Sequence, residues 1–362
     1  MAVGGSRAVV LAAPATAHRR PRPCRKEGRS ARGRDLRPLP RALSENKDRS
    51  GFPMRGHRRE IMTRTVTVGL DGSRESRAAA EWAAREARLS DLPLKLVHVY
   101  EPAPDPLAQA PLLGAETRRH WTERIPRESA EGLRLRHPGL RVSTEQLSGR
   151  PSELLVSAAK DAELLVLGSR GLSGIGGFLV GSVGLAVIAH AERPVVVVRA
   201  GEQAADEHEM DPAGIPSAGS PFRPVVLGLD IESPDEELIA FAFEAAARRG
   251  TSLRVVHGWN PPPYYAYGLA VDLELHASLA LRENTVLTEV VRPWRKKFPH
   301  VEVTEESHYG TPGNHLVDAS REASLVVVGR RIRRNPFGAH IGPVTHAVLH
   351  HCTAPVAVVP HN

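Results

Sequence analysis

The chain has 362 residues, enough for two domains of ordinary size, and carries 48 Lys and Arg against 41 Asp and Glu. Its formal net charge of +7 is uneven, because residues 1–60 hold 16 basic and 5 acidic side chains, whereas acids are in excess over the remainder. The remainder therefore gives no electrostatic argument for nucleic-acid binding. Every apolar run is shorter than the ~20 residues that span a bilayer, and two cysteines, Cys24 and Cys352, form no disulfide framework. We expect a cytoplasmic protein without membrane or nucleic-acid partners.

Residues 1–61 are rich in Arg, Pro, Gly and Ser and lack apolar periodicity, which is typical of disorder. Three interpretations of this basic tail stay open. In the first, the tail has no function or is not translated. Translation could begin at Met62, which directly precedes the first predicted strand. In the second, it is a basic arm that binds nucleic acid or acidic partners. In the third, it is a targeting peptide, with a short apolar stretch at 8–17.

Residues 62–200 alternate short apolar runs with helical patterns, which is typical of a parallel sheet covered on both faces. We predict strands at 65–70, 94–99, 141–147, 163–167 and 194–198. We predict helices at 74–89, 112–136, 151–160 and 181–190, with Ser73 as the cap of the first. Residues 201–221 are acidic and rich in Gly, Pro and Ser, which predicts a linker.

The same pattern returns about 160 residues later, over residues 222–362. Residues 225–230 correspond to 66–71, and residues 325–329 correspond to 164–168. A repeat of this length indicates a duplicated domain. The predicted fold is therefore α/β, with two tandem doubly wound parallel five-stranded sheets of the Rossmann-like type.

Glycines cluster between a predicted strand and a predicted helix near the middle of the chain. Gly168-Ser169-Arg170-Gly171 is followed, after nine residues, by Gly181-Ser182. Glycines let backbone amides close on phosphate oxygens, and a helix N-terminus adds unpaired N–H groups and a favourable dipole. This arrangement predicts a nucleotide-binding site.

The spacing Gly-x2-Gly-x9-Gly-Ser resembles the ATP-binding signature of the universal stress protein family. Residues 66–73, 96–100 and 191–198 are similar to the first, second and closing strands of that family. The resemblance implies an adenine nucleotide alpha hydrolase-like fold in a tandem, two-domain member. It also implies an intramolecular pseudo-dimer in which the domains pair through their last strands, here 194–198 and 355–359.

The resemblance further implies a set of cofactor-binding residues: Asp71, Val99, Gly168, Arg170, Gly171, Gly181, Ser182 and Val183. Asp71 would accept a hydrogen bond from a ribose hydroxyl, Val99 would contact adenine through backbone groups, and the remainder would surround the phosphates. Each role has a simpler alternative. Asp-Gly-Ser is a good turn sequence in its own right, Val99 could be an ordinary strand residue, and Arg170 could be solvated.

The corresponding motif in residues 222–362 departs from the pattern. Ile332 replaces the second Gly and Pro343 replaces the Ser, although Asp230 is retained. A β-branched residue resists positive φ, and proline removes both a hydroxyl and a backbone donor. We therefore expect no ATP binding of the family type in this half. A solvated cationic loop is expected at Arg330, Arg331, Arg333 and Arg334, with binding of an anionic ligand or partner as the alternative.

Residues 168–184 contain no lysine, and paired carboxylates for Mg²⁺ do not accompany the motif. We therefore expect slow ATP hydrolysis at most. We also expect no catalytic or metal-binding residues. The sequence predicts an ATP-binding stress-response sensor or regulator that binds ATP, with or without Mg²⁺, in residues 62–200 only. A homodimer and an unidentified regulatory protein partner are compatible with this function. Two alternatives stay open: a nucleotide-independent regulatory scaffold, and a weak ATPase or nucleotidyl transferase of related fold.

Overall fold

The computed structural model describes residues 64–101, 115–171, 178–260, 273–332 and 341–362, all within one compact unit, Arg59–Asn362. The basic tail predicted at 1–61 lies outside these residues. The strands are β1 (Thr65–Leu70), β2 (Leu94–Tyr100), β3 (Val142–Ser148), β4 (Ala162–Gly171), β5 (Phe178–Leu179), β6 (Val195–Arg199), β7 (Val225–Gly228), β8 (Leu253–Trp259), β9 (Val303–Tyr309), β10 (Leu325–Arg331) and β11 (Val356–His361). The helices are α1 (Arg74–Leu89), α2 (Ala115–Arg136), α3 (Pro151–Ala159), α4 (Ser182–His190), α5 (Glu236–Arg249), α6 (Leu273–Lys297), α7 (Pro312–Ala319) and α8 (Pro343–His351).

The strands form one sheet in the order β3-β2-β1-β4-β6-β11-β10-β7-β8-β9, with β5 added to β4. Neighbouring strands of this path run parallel within each half. Between the halves β6 and β11 run antiparallel, with Val197 opposite Val356 and Val195 opposite Val358. The two predicted five-stranded sheets are therefore present, and they join edge to edge through their last strands, as the resemblance implied.

The apolar strands supply two cores on opposite faces of the sheet. Along β6, Val196 and Val198 belong to one buried cluster, whereas Val195 and Val197 belong to the other. Side chains alternate between the faces of a strand, so this alternation places the clusters on different sides. Helices α1, α2, α5 and α6 cover the first cluster, and α3, α4, α7 and α8 cover the second. This double covering explains why the strands are almost continuously hydrophobic.

The first helix begins where the sequence predicted. The Ser73 hydroxyl accepts a hydrogen bond from the Ser76 amide at 3.1 Å, which confirms Ser73 as the N-cap of α1. Strand β4 is longer than predicted, because it continues from 167 through Gly171 to pair with β5. None of the described helices combines the length and apolar character needed to cross a membrane.

The segment predicted as a linker, 201–221, carries ordered structure of its own. It contains a short 3-10 helix, Ala204–Glu207, whose buried Glu207 carboxylate accepts a hydrogen bond from Arg85 Nε of α1 at 3.0 Å. Glu202 is also buried, with 6% of its surface exposed, and its Oε2 atom has no hydrogen-bond partner. The Arg85–Glu207 contact therefore ties this segment to α1 of the first half.

A buried ion pair also joins the two halves. Arg249 Nη2 of α5 donates to Glu86 Oε2 of α1 at 2.6 Å, and both side chains are almost fully buried. Arg248 Nη2 lies 3.5 Å from the other oxygen of the same carboxylate. The opposite charges compensate each other in the interior, where burying either charge without its partner would cost free energy.

Candidate functional site

The strand order creates a crevice at the carboxyl ends of β1 and β4. The chain runs outward from β1 through β2 to β3 and then returns to β4 on the other side of β1. Ligands of doubly wound sheets bind where the strand order reverses in this way. Asp71 follows β1 directly, while Gly168 and Gly171 lie in the last part of β4, so the fold brings them to the same edge.

Asp71 organises the turn between β1 and α1. Its Oδ1 atom accepts hydrogen bonds from the Ser73 amide at 3.0 Å and from the Ser73 hydroxyl at 2.5 Å. Gly72 has a left-handed φ of +82°, which favours glycine at this position. Partial burial acts to raise the pKa of Asp71, but hydrogen bonds from Ser73 and Ser76 outweigh it and hold the pKa below its ordinary value. Asp71 is therefore an ionised acceptor engaged in the turn, and its contact with a ribose stays a prediction.

Gly168, Arg170 and Gly171 lie on strand β4, whereas the sequence placed them in a Gly-rich loop after a strand predicted to end at 167. In the hairpin of β4 and β5, Arg170 is opposite Leu179 and Gly171 is opposite Phe178, in antiparallel pairing. The local interpretation missed this pairing because β5 has only two residues. Residues 172–177 lie outside the described residues, as does the side chain of Arg170.

Gly168 has a packing role that does not involve phosphate. A Cβ atom there would lie 2.4 Å from the carbonyl carbon and oxygen of Glu75 in α1, and 2.7 Å from the Ser76 amide nitrogen. Only glycine permits this approach of α1 to β4. Val99 is partly buried and packs against the second core cluster, consistent with its simpler interpretation as a strand residue.

The N-terminus of α4 is open to an anion. Gly181 is its N-cap, with φ of −68° and ψ of 168°, and no side chain caps the helix. Gly181, Ser182 and Val183 are all exposed, and the first turn contains no acidic residue. The first amides of a helix lack intrahelical partners and carry the positive end of the dipole. Three of the predicted residues therefore lie together at an exposed, uncapped helix start, and their contact with phosphate stays a prediction.

Comparison with known proteins agrees with this architecture. The sequence model of the universal stress protein family matches residues 62–199 and again residues 221–360. The chain belongs to the universal stress protein family.

Some relatives match both repeats of the chain, and others match only part of it. A universal stress protein of Mycolicibacterium smegmatis is 33% identical over 304 residues, which cover 81% of this chain and 96% of that protein. A solved universal stress protein of Archaeoglobus fulgidus has a TM-score of 0.59 at 17% identity, covering 82% of this chain and 98% of that one. A solved universal stress protein in complex with cAMP matches at 28% identity and a TM-score of 0.29, covering 38% of this chain and 98% of that one.

The second universal stress repeat has a different crevice. The turn after β7 is three residues longer than its counterpart, because α1 starts three residues after Asp71 whereas α5 starts six residues after Asp230. Glu232 stands where the first repeat has Ser73, and its amide likewise donates to the preceding aspartate, Asp230 Oδ1, at 3.1 Å. The N-cap of α5 is Asp235, which accepts from two amides of the first turn.

The phosphate-binding elements are altered in this repeat. The Ile332 amide donates to the His361 carbonyl at 2.6 Å and is therefore occupied. Pro343 is the first residue of α8, behind the N-cap Gly342, so the helix lacks its first N–H group. The missing N–H group at Pro343 follows the sequence prediction, whereas the hydrogen bond of the Ile332 amide was not foreseen.

Arg330 is not part of a solvated cationic loop, so that prediction was wrong for this residue. Its side chain is buried, with 5% of the residue exposed, and its Nη2 atom donates to the Ala191 carbonyl at the C-terminus of α4. Burial lowers the pKa of this guanidinium from its ordinary value. Sequence reasoning missed the contact because the acceptor belongs to the other repeat. Arg331 is exposed, and Arg333 and Arg334 lie outside the described residues.

A cavity of about 540 Å³ opens at this edge of the second repeat. Polar side chains from the ends of β7, β8 and β10 and from helix α6 line it: Asp230, Glu232, His257, Trp259, Glu283 and Arg331. Apolar residues form other parts of its wall, including Leu229, Val256, Leu316 and Val328. The longer turn after Asp230 was the sequence signal that could have indicated a differently shaped site. We call this space the second-repeat cavity.

Proposed function

We propose that this universal stress protein binds ATP in its first repeat, residues 62–200, and acts as a stress-response sensor or regulator. The observation that carries the proposal is the exposed, uncapped start of α4 at the reversal of strand order. The ionised carboxylate of Asp71 lies at the same edge of the sheet, where hydrogen bonds from Ser73 fix its position. It can accept a hydrogen bond from a donor group of the ligand.

Phosphates are the natural anion for this helix start. The glycine N-cap leaves room for close approach, since a Cβ at Gly181 would contact nothing within 4 Å. The amides after it, together with the Ser182 hydroxyl, can donate to phosphate oxygens. Mg²⁺ could accompany the phosphates, held by their oxygens and by water.

Binding without rapid turnover fits these residues. Residues 168–184 contain no lysine to stabilise charge on a transferring phosphoryl group. A site built from backbone amides holds triphosphate in place but provides no base for an attacking water. ATP binding itself is therefore the regulatory signal, and ATP hydrolysis is slow at most.

The nucleotide is proposed for the first repeat only. In the second, residues 222–362, the Ile332 amide is already bonded and Pro343 offers no N–H. Glu232 also adds a carboxylate to the lining, where the first repeat has the neutral Ser73.

Two equivalent glycines provide a matched test. Gly181→Asp in the full chain puts a carboxylate at the N-cap of α4, and Gly342→Asp makes the same change at α8. Aspartate is a good N-cap, so neither variant should lose folding stability. ATP binding is measured by equilibrium dialysis with labelled ATP, and thermal unfolding is followed by circular dichroism.

We expect one ATP per wild-type chain. Gly181→Asp should weaken binding by about a hundredfold or more, since like charges about 4 Å apart repel by about 4 kcal/mol near a protein surface. Gly342→Asp should bind like wild type. Loss of binding in Gly342→Asp but not in Gly181→Asp would reassign the nucleotide to the second repeat. No binding by the wild type would reject the proposal in favour of a nucleotide-independent scaffold.

A further inference from the structure

Helix α4, at whose exposed start the ATP phosphates are proposed to bind, is supported at its other end by the second repeat. The helix has nine residues, Ser182–His190, and its C-cap is Ala191, which is 1% exposed. The last carbonyl groups of a helix lack intrahelical partners and carry the negative end of its dipole. A cation that reaches this end therefore stabilises the last turn of the helix and fixes its position.

Arg330 of the second repeat supplies this cation. Along β10, Val326 and Val328 belong to the buried cluster beneath α4 and α8. Alternate residues of a strand share a face, so Arg330 lies on the same side of the sheet as α4. The residue is 5% exposed, and its Nη2 atom donates to the Ala191 carbonyl. Arg330 also lines the second-repeat cavity, so that one side chain connects this cavity to the first repeat.

At this position the contact runs in one direction only. Gly168 corresponds to Gly329, so the counterpart of Arg330 in the first repeat is Ser169. The short side chain of Ser169 stays within its own repeat, where its hydroxyl donates to the Val198 carbonyl at 3.5 Å. The second repeat therefore supports a helix of the first through this position, and the first repeat does not return the contact.

The second repeat also supports the start of α4. Val180 directly precedes the N-cap Gly181, and a Cβ atom at Gly184 would lie 2.8 Å from Val180 Cγ1. Val180 thus packs closely against the first turn of the helix. It is 5% exposed and belongs to the buried cluster that contains Val348 and Leu349 of α8, and strand β5 just before it contacts α8. Both ends of α4 therefore depend on packing against the other repeat.

We propose that Arg330 is a positioning residue for the nucleotide site of the first repeat, and that the second repeat regulates this site through it. The proposal rests on the ATP site proposed above. Donors that bind a ligand must be held to within about 0.5 Å, and here the donors are the first amides of α4. Without Arg330 the buried Ala191 carbonyl loses this donor, and the helix opens more readily from its C-terminal end. The second repeat, whose own phosphate-binding elements are altered, then acts as a regulatory subunit of the first.

Three variants at one position separate charge, donor and packing. Arg330→Met removes the charge and the donor, whereas Arg330→Lys keeps a charge and a donor. Arg330→Gln keeps a neutral donor on a shorter side chain and is a milder change than Arg330→Met. Arg292→Met is the matched control, since it makes the same change at an exposed arginine of α6.

Two quantities are measured on the full chain, after circular dichroism melts have established that each variant is folded at the assay temperature. Equilibrium dialysis with labelled ATP gives the affinity of the nucleotide site. Hydrogen exchange followed by mass spectrometry gives the opening of residues 182–190 in the absence of nucleotide. Helix α1 serves as the internal reference, because a change confined to α4 leaves its exchange unaltered.

We expect Arg330→Met to weaken ATP binding by about fivefold or more and to speed exchange in α4 by a similar factor. Arg330→Lys should stay within about twofold of wild type in both measurements, Arg330→Gln should lie between the two, and Arg292→Met should match wild type.

Unchanged exchange in α4 of Arg330→Met would overturn the inference, whether or not the chain binds ATP. Faster exchange with unchanged ATP affinity would also overturn it, since the helix would then move without affecting the site. Equal losses in Arg330→Lys and Arg330→Met would overturn it as well, because any change of packing would then suffice. If the wild type binds no ATP, the proposed function fails, and faster exchange in α4 of Arg330→Met still supports the positioning role of Arg330.

Discussion

Glu202, in the segment that connects the two repeats, should make folding stability depend on pH. Burial raises the pKa of its carboxyl from an ordinary 4.5 to about 8, and the nearby negative charges of Asp206 and Glu207 add to the rise. Arg199 and Arg85 act in the opposite direction and only partly offset it. The folded chain therefore keeps a proton that the unfolded chain releases above its ordinary pKa.

The size of the effect follows from proton linkage. A change of one in pKa corresponds to about 1.4 kcal/mol, so a rise from 4.5 to about 8 amounts to about 5 kcal/mol. The unfolded state binds fewer protons than the folded state across this window. Stability should consequently fall as the pH rises from about 4.5 to about 8, and the full loss should be present above pH 8.

Glu202→Gln removes the titrating group while keeping its shape. Urea unfolding at intervals between pH 5 and pH 9, in the full chain, gives the free energy of unfolding of variant and wild type. Relative to wild type, the variant should gain about 4 kcal/mol between pH 5 and pH 9, because part of the full difference already falls below pH 5. Glu209→Gln, an exposed change in the same segment, should show no such gain. A difference between Glu202→Gln and wild type that stays constant with pH would refute the reasoning.

Three further predictions concern packing and reactivity. Gly168→Ala should destabilise the fold by at least ~1–3 kcal/mol, because the added Cβ atom would meet the α1 backbone. Gly181→Ala is the control, since its Cβ atom has free space. Thermal melts of both variants without nucleotide test this prediction. Arg249→Met should cost about 3–5 kcal/mol in urea unfolding, because it leaves Glu86 buried without its closest cation, and a cost below ~1 kcal/mol would contradict it. In a variant without the other cysteine, Cys352 should resist an aromatic disulfide reagent at pH 8 until urea is added, since burial raises the pKa of its thiol to about 12. Rapid labelling of the folded chain would show that Cys352 is accessible.

Elements with strong local signals were predictable from the sequence. The β1 strand and the α1 helix lie at the predicted residues, because an apolar run, a Ser cap and a helical apolar pattern occur together there. The internal repeat also made the strands of the second half predictable, because both repeats contain the same series of buried strands. The α4 start was also foreseen, within one residue, from its glycine and the apolar run after it.

Features that depend on distant partners were not predictable. Strand β4 extends to Gly171 only because β5 pairs with it, and a two-residue strand has no periodicity to detect. Arg330 belongs to a basic run that would normally be solvated, but Ala191 of the other repeat supplies its acceptor. The reason for glycine at 168 lies in α1, which is far away in sequence. The roles of the nucleotide-site residues stay predictions, because those roles depend on contacts with a ligand outside the chain.

The antiparallel pairing of β6 with β11 makes the association of the two repeats an event within one polypeptide. Dilution cannot separate the repeats, because a tethered partner is present at an effective concentration of about millimolar or higher. In a dimer of identical subunits, any substitution in one site appears in both. Here the two repeats are encoded separately, so the second can carry Ile332 and Pro343 where the first carries Gly171 and Ser182. Covalent linkage thus permits a division of labour that a symmetric assembly could not encode.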